Sequence, residues 1–212
     1  ILAAAGRRPG LLGTVEARVG GERRGVQHTT PEAIDLQRLF REMLDAGDRS
    51  CAMEASSHAS ELHRLDRVRF AVLVFTNLSQ DHLDFHGDME SYFQAKRRLF
   101  VEESPRAAVK VGDEYGRRLA AELPDVLTFG FGEGAAIGPD ALAGIFVKLR
   151  GRFNVKNALG AFAAARPLGI DDDAIARGIA SVRGVPGRFE SVDEGQSFAV
   201  IVDYGHKTGA PQ

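Results

Sequence analysis

The chain has 212 residues, 44% of them hydrophobic and 26% charged, with a formal net charge of -2. That balance predicts a soluble globular protein large enough to bury a core, and it excludes the strongly basic footprint of a nucleic-acid binder. Cys51 is the one cysteine, which excludes a disulfide framework and points to a reducing, cytoplasmic compartment.

Residues 1–6 read as the last turn of a helix closed by Gly6, so the chain is expected to be a segment of something longer. No basic start is followed by a long apolar run, so no signal peptide is expected. The longest apolar stretch, Phe70 to Phe75, is far too short for membrane insertion. Thr30 is expected to cap a helix with Pro31 at its first position; Leu36, Leu39, Phe40 and Met43 follow helical spacing and Gly47 ends it. Strands are predicted at Ser50 to Met53, Phe70 to Thr76, Ala107 to Val111, Val126 to Phe129 and Phe198 to Val202. Helices are predicted at Asp88 to Val101, Glu114 to Leu123, Asn154 to Leu168 and Asp172 to Val182. The segment Gly130 to Gly144, rich in glycine and alanine, reads as a loop or linker. Alternation of strands and helices predicts an α/β fold with a mostly parallel sheet flanked by helices.

Four constellations could carry chemistry. In Met53-Glu54-Ala55-Ser56-Ser57-His58, polar groups crowd the carboxyl end of a strand, where ligands gather in open α/β sheets. Glu54 could hold Mg²⁺, or the cluster could simply cap the next helix. In the eleven residues from Thr76 to His86, His82 or His86 could ligate a metal, with Asp81 or Asp84 orienting the imidazole; the plain alternative is a polar loop. Lys96 falls inside the apolar stripe of Met89, Tyr92, Phe93, Leu99 and Phe100. An amine there loses hydration and tends toward the neutral, nucleophilic form, unless it snorkels from the stripe's edge. Further on, Arg188 follows a Pro-Gly turn suited to presenting a guanidinium to phosphate, and Asp203 ends a strand where it could accept from a ribose hydroxyl. A turn with a surface arginine is the bland alternative there.

The run MEASSHASELHRLDRVRFAVLVFTNLSQDHLDFHGDMESYFQAKRRLF resembles the central domain of the Mur ligase family, in the branch that adds the third amino acid to a cell-wall precursor. HTTPEAIDLQRLF, GRFNVKNALGAFAAA, VPGRFE and VDYGH extend the resemblance in the expected order over nearly the whole chain. The resemblance implies a P-loop-type ATP-binding domain that lacks its first strand-loop-helix. By the same resemblance, the glycine-rich phosphate loop belongs just before Ile1, and N-terminal UDP-binding and C-terminal amino-acid-binding domains belong outside residues 1–212. It implies an ATP-dependent ligase in peptidoglycan synthesis. Its substrates would be UDP-N-acetylmuramoyl-L-alanyl-D-glutamate and an amino acid, joined through an acyl phosphate, with ATP and Mg²⁺ required. A monomer is expected.

Carried over residue by residue, Glu54 and His82 match Mg²⁺ ligands. Lys96 matches a lysine carbamylated by CO₂ that positions a second Mg²⁺, and His82 and Lys96 form the catalytic pair. Thr29, Thr30, Ser57 and Arg64 match contacts to the UDP-muramoyl dipeptide. Asn157 matches an adenine contact, Arg188 a phosphate contact and Asp203 a ribose contact. The chain departs from the pattern at Leu62, where glutamine is usual, and at Gly205, Lys207 and Thr208. It is also shorter than the family between Gly130 and Arg152. Two other readings stand beside this one: a related synthetase such as folylpolyglutamate or cyanophycin synthetase, or a non-catalytic remnant. For the chain by itself, inactivity and poor ATP binding are expected.

Overall fold

The structure, a computed structural model, describes residues 1–102 and 105–204. Residues 1–6 form the expected helical turn: the Ala5 amide donates to the Ile1 carbonyl at 2.9 Å, and Gly6 closes it at φ +74°. Three short strands follow, β1 (Pro9–Leu12), β2 (Ala17–Val19) and β3 (Glu22–Arg24), as an antiparallel ribbon. The turn from β2 to β3 is Gly20-Gly21, both at positive φ, the dipeptide that a tight hairpin favours.

Helix α1 (Ala33–Asp45) returns the chain to β4 (Ser50–Met53), which pairs in parallel with β1 from Pro9↔Ser50 to Leu12↔Met53. Leu36 and Met43 are buried on its inner face. Gly47, at φ +87°, ends the helix: its amide donates to the Leu44 carbonyl while that of Asp48 donates to Met43, the paired bonds of a Schellman motif. Thr30 is not the cap. Glu32 holds that position without a side-chain bond, and the Thr30 hydroxyl, 1% exposed, is used elsewhere.

A second sheet is fully parallel, in the order β5 (Leu73–Phe75), β6 (Ala107–Lys110), β7 (Leu127–Phe129). Side-chain alternation along it feeds two cores. Leu73, Phe75, Ala107 and Val109 face α4 (Met89–Glu102) and α5 (Glu114–Glu122), packing on Phe93 and Leu119. Ala108 and Phe129 face α6 (Arg152–Ala165) and α7 (Asp172–Ser181), packing on Leu159, Phe162, Ala163 and Ile175. This is the expected parallel sheet with helices on both faces. Asp113 and Asp171 cap α5 and α7, accepting from the Gly116 and Ala174 amides at 2.9 and 2.8 Å.

The first sheet, in the order β3-β2-β1-β4, is covered by α1 and by the short α2 (Ser57–Glu61). The two sheets meet through side chains: α2 packs on α4, the Ser60 hydroxyl donates to the Ala95 carbonyl, and Phe70 and Leu99 pack against both cores. The Gly130 to Gly144 segment is the expected loop, with one parallel bridge from Phe129 to Ile137 and a 3₁₀ turn at Pro139–Leu142. A hairpin of β8 (Glu190–Val192) and β9 (Val200–Val202) follows α7. Gly205, Lys207 and Thr208, where the sequence departs from the family pattern, lie outside the described residues, as does the end of the VDYGH motif. Among the described residues, no helix is long and apolar enough to cross a membrane.

Candidate functional site

Seven of the sequence-predicted residues gather where the carboxyl ends of β4 and β5 lead into α2 and a one-turn helix, α3 (Leu83–His86). Glu54 follows the last residue of β4. Its amide donates to the Leu12 carbonyl at 2.9 Å, which extends the β1–β4 pairing by one residue. Its carboxylate is gripped by Thr14: the amide donates at 3.0 Å and the hydroxyl at 2.7 Å. The Thr14 hydroxyl also lies 3.1 Å from that of Thr29.

Thr30 ties this turn to the next. Its hydroxyl donates to the Glu54 carbonyl at 2.8 Å and accepts from the Ser56 amide at 3.0 Å. Ser56 in turn caps α2 by accepting from Ala59 at 3.1 Å. Arg64 donates to the Thr30 carbonyl at 3.3 Å and pairs with Glu32 at 2.6 Å. Its Nε is buried and makes no hydrogen bond among the described residues.

Around Ser57 the site becomes aromatic. Ser57 is 2% exposed, and its hydroxyl lies 2.9 Å from His86 Nε2. The His86 ring stacks on Tyr92 with centroids 5.0 Å apart, and His82 meets the same tyrosine edge-on at 5.9 Å. His58 stands 4.8 Å from His82 and 5.5 Å from His86. The Lys96 ammonium lies 5.3 Å from the Tyr92 ring centre, a cation–π distance. Lys96 is half-buried, between the buried Tyr92 and Phe93 on one side and Phe100 on the other.

Burial, then the neighbouring imidazole, holds both His58 and His86 below the usual histidine pKa: His82 acts on His58, and His58 acts on His86. Burial and then the Asp81 charge push the Tyr92 phenol up to about 12, with the Ser57 hydrogen bond opposing them. The site therefore keeps Tyr92 a neutral donor and favours neutral imidazoles beside Lys96 and Arg64.

Among the described residues no three His, Cys, Asp or Glu side chains converge as metal ligands. A closed transition-metal site needs that convergence. Mg²⁺ does not, because it is commonly held by one or two carboxylates with waters and phosphate oxygens completing its shell. The exposed Glu54 carboxylate, fixed by Thr14, and the 42%-exposed His82 side chain suit such a sparse site.

The other three predicted residues lie away from this cluster, on α6 and on the β8–β9 hairpin. Asn157 is exposed on α6, its amide donating to Asn154 at 3.2 Å. Arg188 sits on the turn before β8, and Asp203 follows β9; both are exposed. The Tyr204 amide donates to the Gly187 carbonyl at 2.9 Å, bringing the neighbours of Asp203 and Arg188 together. Phe189 meets Phe153 edge-on at 5.7 Å, which seats this end of the hairpin against the first turn of α6. Thr14 was absent from the sequence reading, His58 appeared only within the first constellation, and Tyr92 only in the apolar stripe. The Thr14–Glu54 contact spans 40 residues, the His58–His86 contact spans 28, and the Tyr92 contacts depend on the fold of α3, so no local pattern marks these roles.

This geometry defines an α/β domain with a cluster of polar and aromatic side chains at strand carboxyl ends. Residues 1–165 match the family described as the Mur ligase middle domain, and the chain belongs to the Mur ligase family. It is similar to UDP-N-acetylmuramoyl-L-alanyl-D-glutamate--2,6-diaminopimelate ligases. That of Streptomyces coelicolor is 46% identical, over 95% of this chain and 44% of the relative. That of Geobacter metallireducens is 42% identical, over 97% of this chain and 45% of the relative. A solved structure of a ligase of that name superposes with a TM-score of 0.76 at 28% identity, over 90% of this chain and 44% of that one. A pseudomurein peptide ligase type C from Methanothermus fervidus shares the fold, at a TM-score of 0.68 and 17% identity over 97% of this chain and 49% of that one. The chain thus spans less than half the length of the ligases it matches. The Streptomyces alignment runs over 225 positions against 212 residues here, so that relative carries residues this chain lacks.

Proposed function

We propose that this chain is the central, ATP-using part of a cytoplasmic ligase that adds the third amino acid to UDP-N-acetylmuramoyl-L-alanyl-D-glutamate. The observation that carries the reading is the convergence of Glu54, Thr30, Arg64, Ser57, His82 and Lys96 at one end of the fold. The diaminopimelate in the relatives' names makes diaminopimelate the incoming amino acid to test first. The domains that would grip uridine and the amino acid belong to the remainder of such a ligase.

The reaction has two steps. The dipeptide's terminal carboxylate attacks the γ-phosphorus of ATP, the bond to the β-phosphate oxygen breaks, and ADP leaves. The amine of the incoming amino acid then attacks the acyl carbon, phosphate departs, and the nitrogen loses a proton to give the amide. The main obstacle is bringing a carboxylate to a polyphosphate, and cationic groups offset that repulsion. Bound Mg²⁺ would supply charge neutralisation between phosphate oxygens. Glu54 and His82 are the side chains to hold it. Arg64 has a buried N–H that needs an acceptor, which a substrate carboxylate or phosphate provides. Thr29, Thr30 and Ser57 line the same wall as contacts for the muramoyl dipeptide. Asn157, Arg188 and Asp203 serve adenine, phosphate and ribose in turn. Lys96, half-buried beside an aromatic stripe, is suited to carbamylation by CO₂, which turns a cation into an anion able to position a second Mg²⁺.

The test incubates the full-length gene product carrying this chain with Mg²⁺-ATP, the UDP-muramoyl dipeptide and diaminopimelate or lysine. Mass spectrometry then follows the UDP-muramoyl tripeptide. Tripeptide formed in step with ADP supports the reading. Turnover only with a folate polyglutamate or an arginine-aspartate polymer as acceptor moves the chain to a related synthetase, and no turnover with any acceptor makes it a remnant.

A further inference from the structure

We infer that His86 is a positioning residue that fixes the metal-facing pose of His82 through Ser57 and Tyr92. This rests on the metal role proposed above for His82. His82 has φ +55°, the left-handed region that a side chain with Cβ occupies at a cost. It stands at the start of α3, only four residues long, and no side-chain cap bond stabilises that start. A single turn is not a stable helix by itself. The Asp81 carboxylate accepts from the His82 amide at 3.0 Å and Phe85 packs on His58 at 4.2 Å, and the link of α3 to two other elements is at its far end. His86 Nε2 bonds the Ser57 hydroxyl at 2.9 Å across 29 residues of sequence, and its ring lies nearly parallel to Tyr92, at 19°. Tyr92 lies on α4 and is 4% exposed.

The one turn of α3 is thus bolted to two other elements, α2 through Ser57 and α4 through Tyr92. Of the two histidines that the sequence left open as metal ligands, His86 has its Nε2 turned inward to Ser57. His82 keeps a 42%-exposed side chain, with its Nε2 3.5 Å from Asp81. Strained backbone of this kind persists only where its surroundings over-determine it. Releasing His86 removes both anchors, whereas removing the Ser57 hydroxyl removes one of them; in either case His82 relaxes toward ordinary dihedral angles and its imidazole leaves its present pose.

The test is Mn²⁺-induced paramagnetic broadening of the histidine ring resonances in the isotope-labelled 212-residue chain, which reads metal proximity without turnover. In the unsubstituted chain Mn²⁺ broadens His82. His86→Leu and Ser57→Ala should each require about tenfold more Mn²⁺, the scale of losing an orienting contact to a metal ligand. His86→Gln, which keeps an amide able to reach Ser57, should recover much of that loss. His86→Leu combined with Ser57→Ala should cost no more than His86→Leu alone, because Ser57→Ala acts through a bond that His86→Leu has already removed. Should His86→Leu fail to fold, Ser57→Ala removes the same bond without opening a large cavity and carries the test. Broadening of His82 at the unsubstituted concentration in Ser57→Ala overturns the inference, as does a doubled loss in the combined variant. If Mn²⁺ leaves His82 unbroadened in the unsubstituted chain, the metal role of His82 itself is overturned, a result distinct from either of these.

Discussion

Thr14 grips Glu54 twice, donating to one carboxylate oxygen from its backbone amide at 3.0 Å and to the other from its hydroxyl at 2.7 Å. A carboxylate held at both oxygens has lost its rotational freedom before any ligand arrives, which is what a preorganised cation ligand requires. The residue before Thr14 must therefore leave room. A Cβ on Gly13 would stand 2.7 Å from Glu54 Oε1.

Gly13→Ala is accordingly expected to displace the carboxylate rather than unfold the protein, since the atom it meets ends a flexible side chain. Stability should change by less than about 1 kcal/mol. The Mg²⁺ concentration for half-maximal activity in the full-length enzyme should rise about tenfold or more. Urea unfolding and a Mg²⁺ titration check the two halves, and an unchanged Mg²⁺ requirement would remove Glu54 from the metal site.

Gly116→Ala should behave in the opposite way. In an exposed helix the change gains about 1 kcal/mol. Here the added Cβ would lie 1.8 Å from the Lys110 carbonyl oxygen, a backbone atom that cannot swing aside. Overpacking costs of about 1–3 kcal/mol decide the sign. The urea midpoint should fall, with site chemistry untouched in the folded fraction.

The histidine cluster predicts an acid-sensitive fold. His58 and His86 have folded pKa values below their ordinary 6.5, chiefly through burial. Below pH 6.5 the unfolded chain therefore binds more protons than the folded one, and stability falls as pH drops from 6.5 through the lowered folded values. Above 6.5 both states are neutral at these positions and the contribution is flat. Unfolding free energies measured between pH 5 and 8 should show this slope, and the double substitution of His58 and His86 by Gln should flatten it. An equal slope in that variant would place the acid sensitivity elsewhere.

Lys96→Ala should lower turnover of the full-length enzyme by about 100-fold or more, the scale of removing a preorganised charged group. Short-chain carboxylates added to the assay should restore part of it by replacing the lost anion. Lys96→Arg should not restore it, because arginine stays cationic and cannot take up CO₂. Near-normal turnover in Lys96→Arg would leave the lysine as the cation over Tyr92 and nothing more.

Long periodic elements were legible from sequence. The helices α4, α5 and α7 lie within a residue or so of their expected limits, because each carries a buried face, centred on Phe93, Leu119 and Ile175 in turn. The β2–β3 ribbon was not foreseen. Its strands are three residues long, β3 is charged and wholly exposed, and the telling signal was Gly20-Gly21 between Ala17-Arg18-Val19 and Glu22-Arg23-Arg24. Thr30 shows a different failure. Thr-Pro is a sound local signal for a helix start, but the hydroxyl is claimed by Glu54 and Ser56, more than twenty residues away. Likewise Lys96 was visible as a lysine out of place in an apolar stripe. Thr14 was invisible, because its meaning depends on a partner 40 residues on.

Glu54 belongs to the sheet of β1 to β4, whereas His82 and Lys96 follow from the sheet of β5 to β7, and no hydrogen-bonded ladder joins the two among the described residues. The seam between them is α2 on α4, with the Ser60 hydroxyl, Phe70 and Leu99 bridging. Side-chain seams slide by small amounts where backbone ladders do not. In the proposed metal role, the spacing between the carboxylate and the imidazole is set by side-chain packing and not by a backbone ladder. Whatever shifts one half against the other resets the fit for a cation, and a cation that bridges them would clamp the halves into a single register.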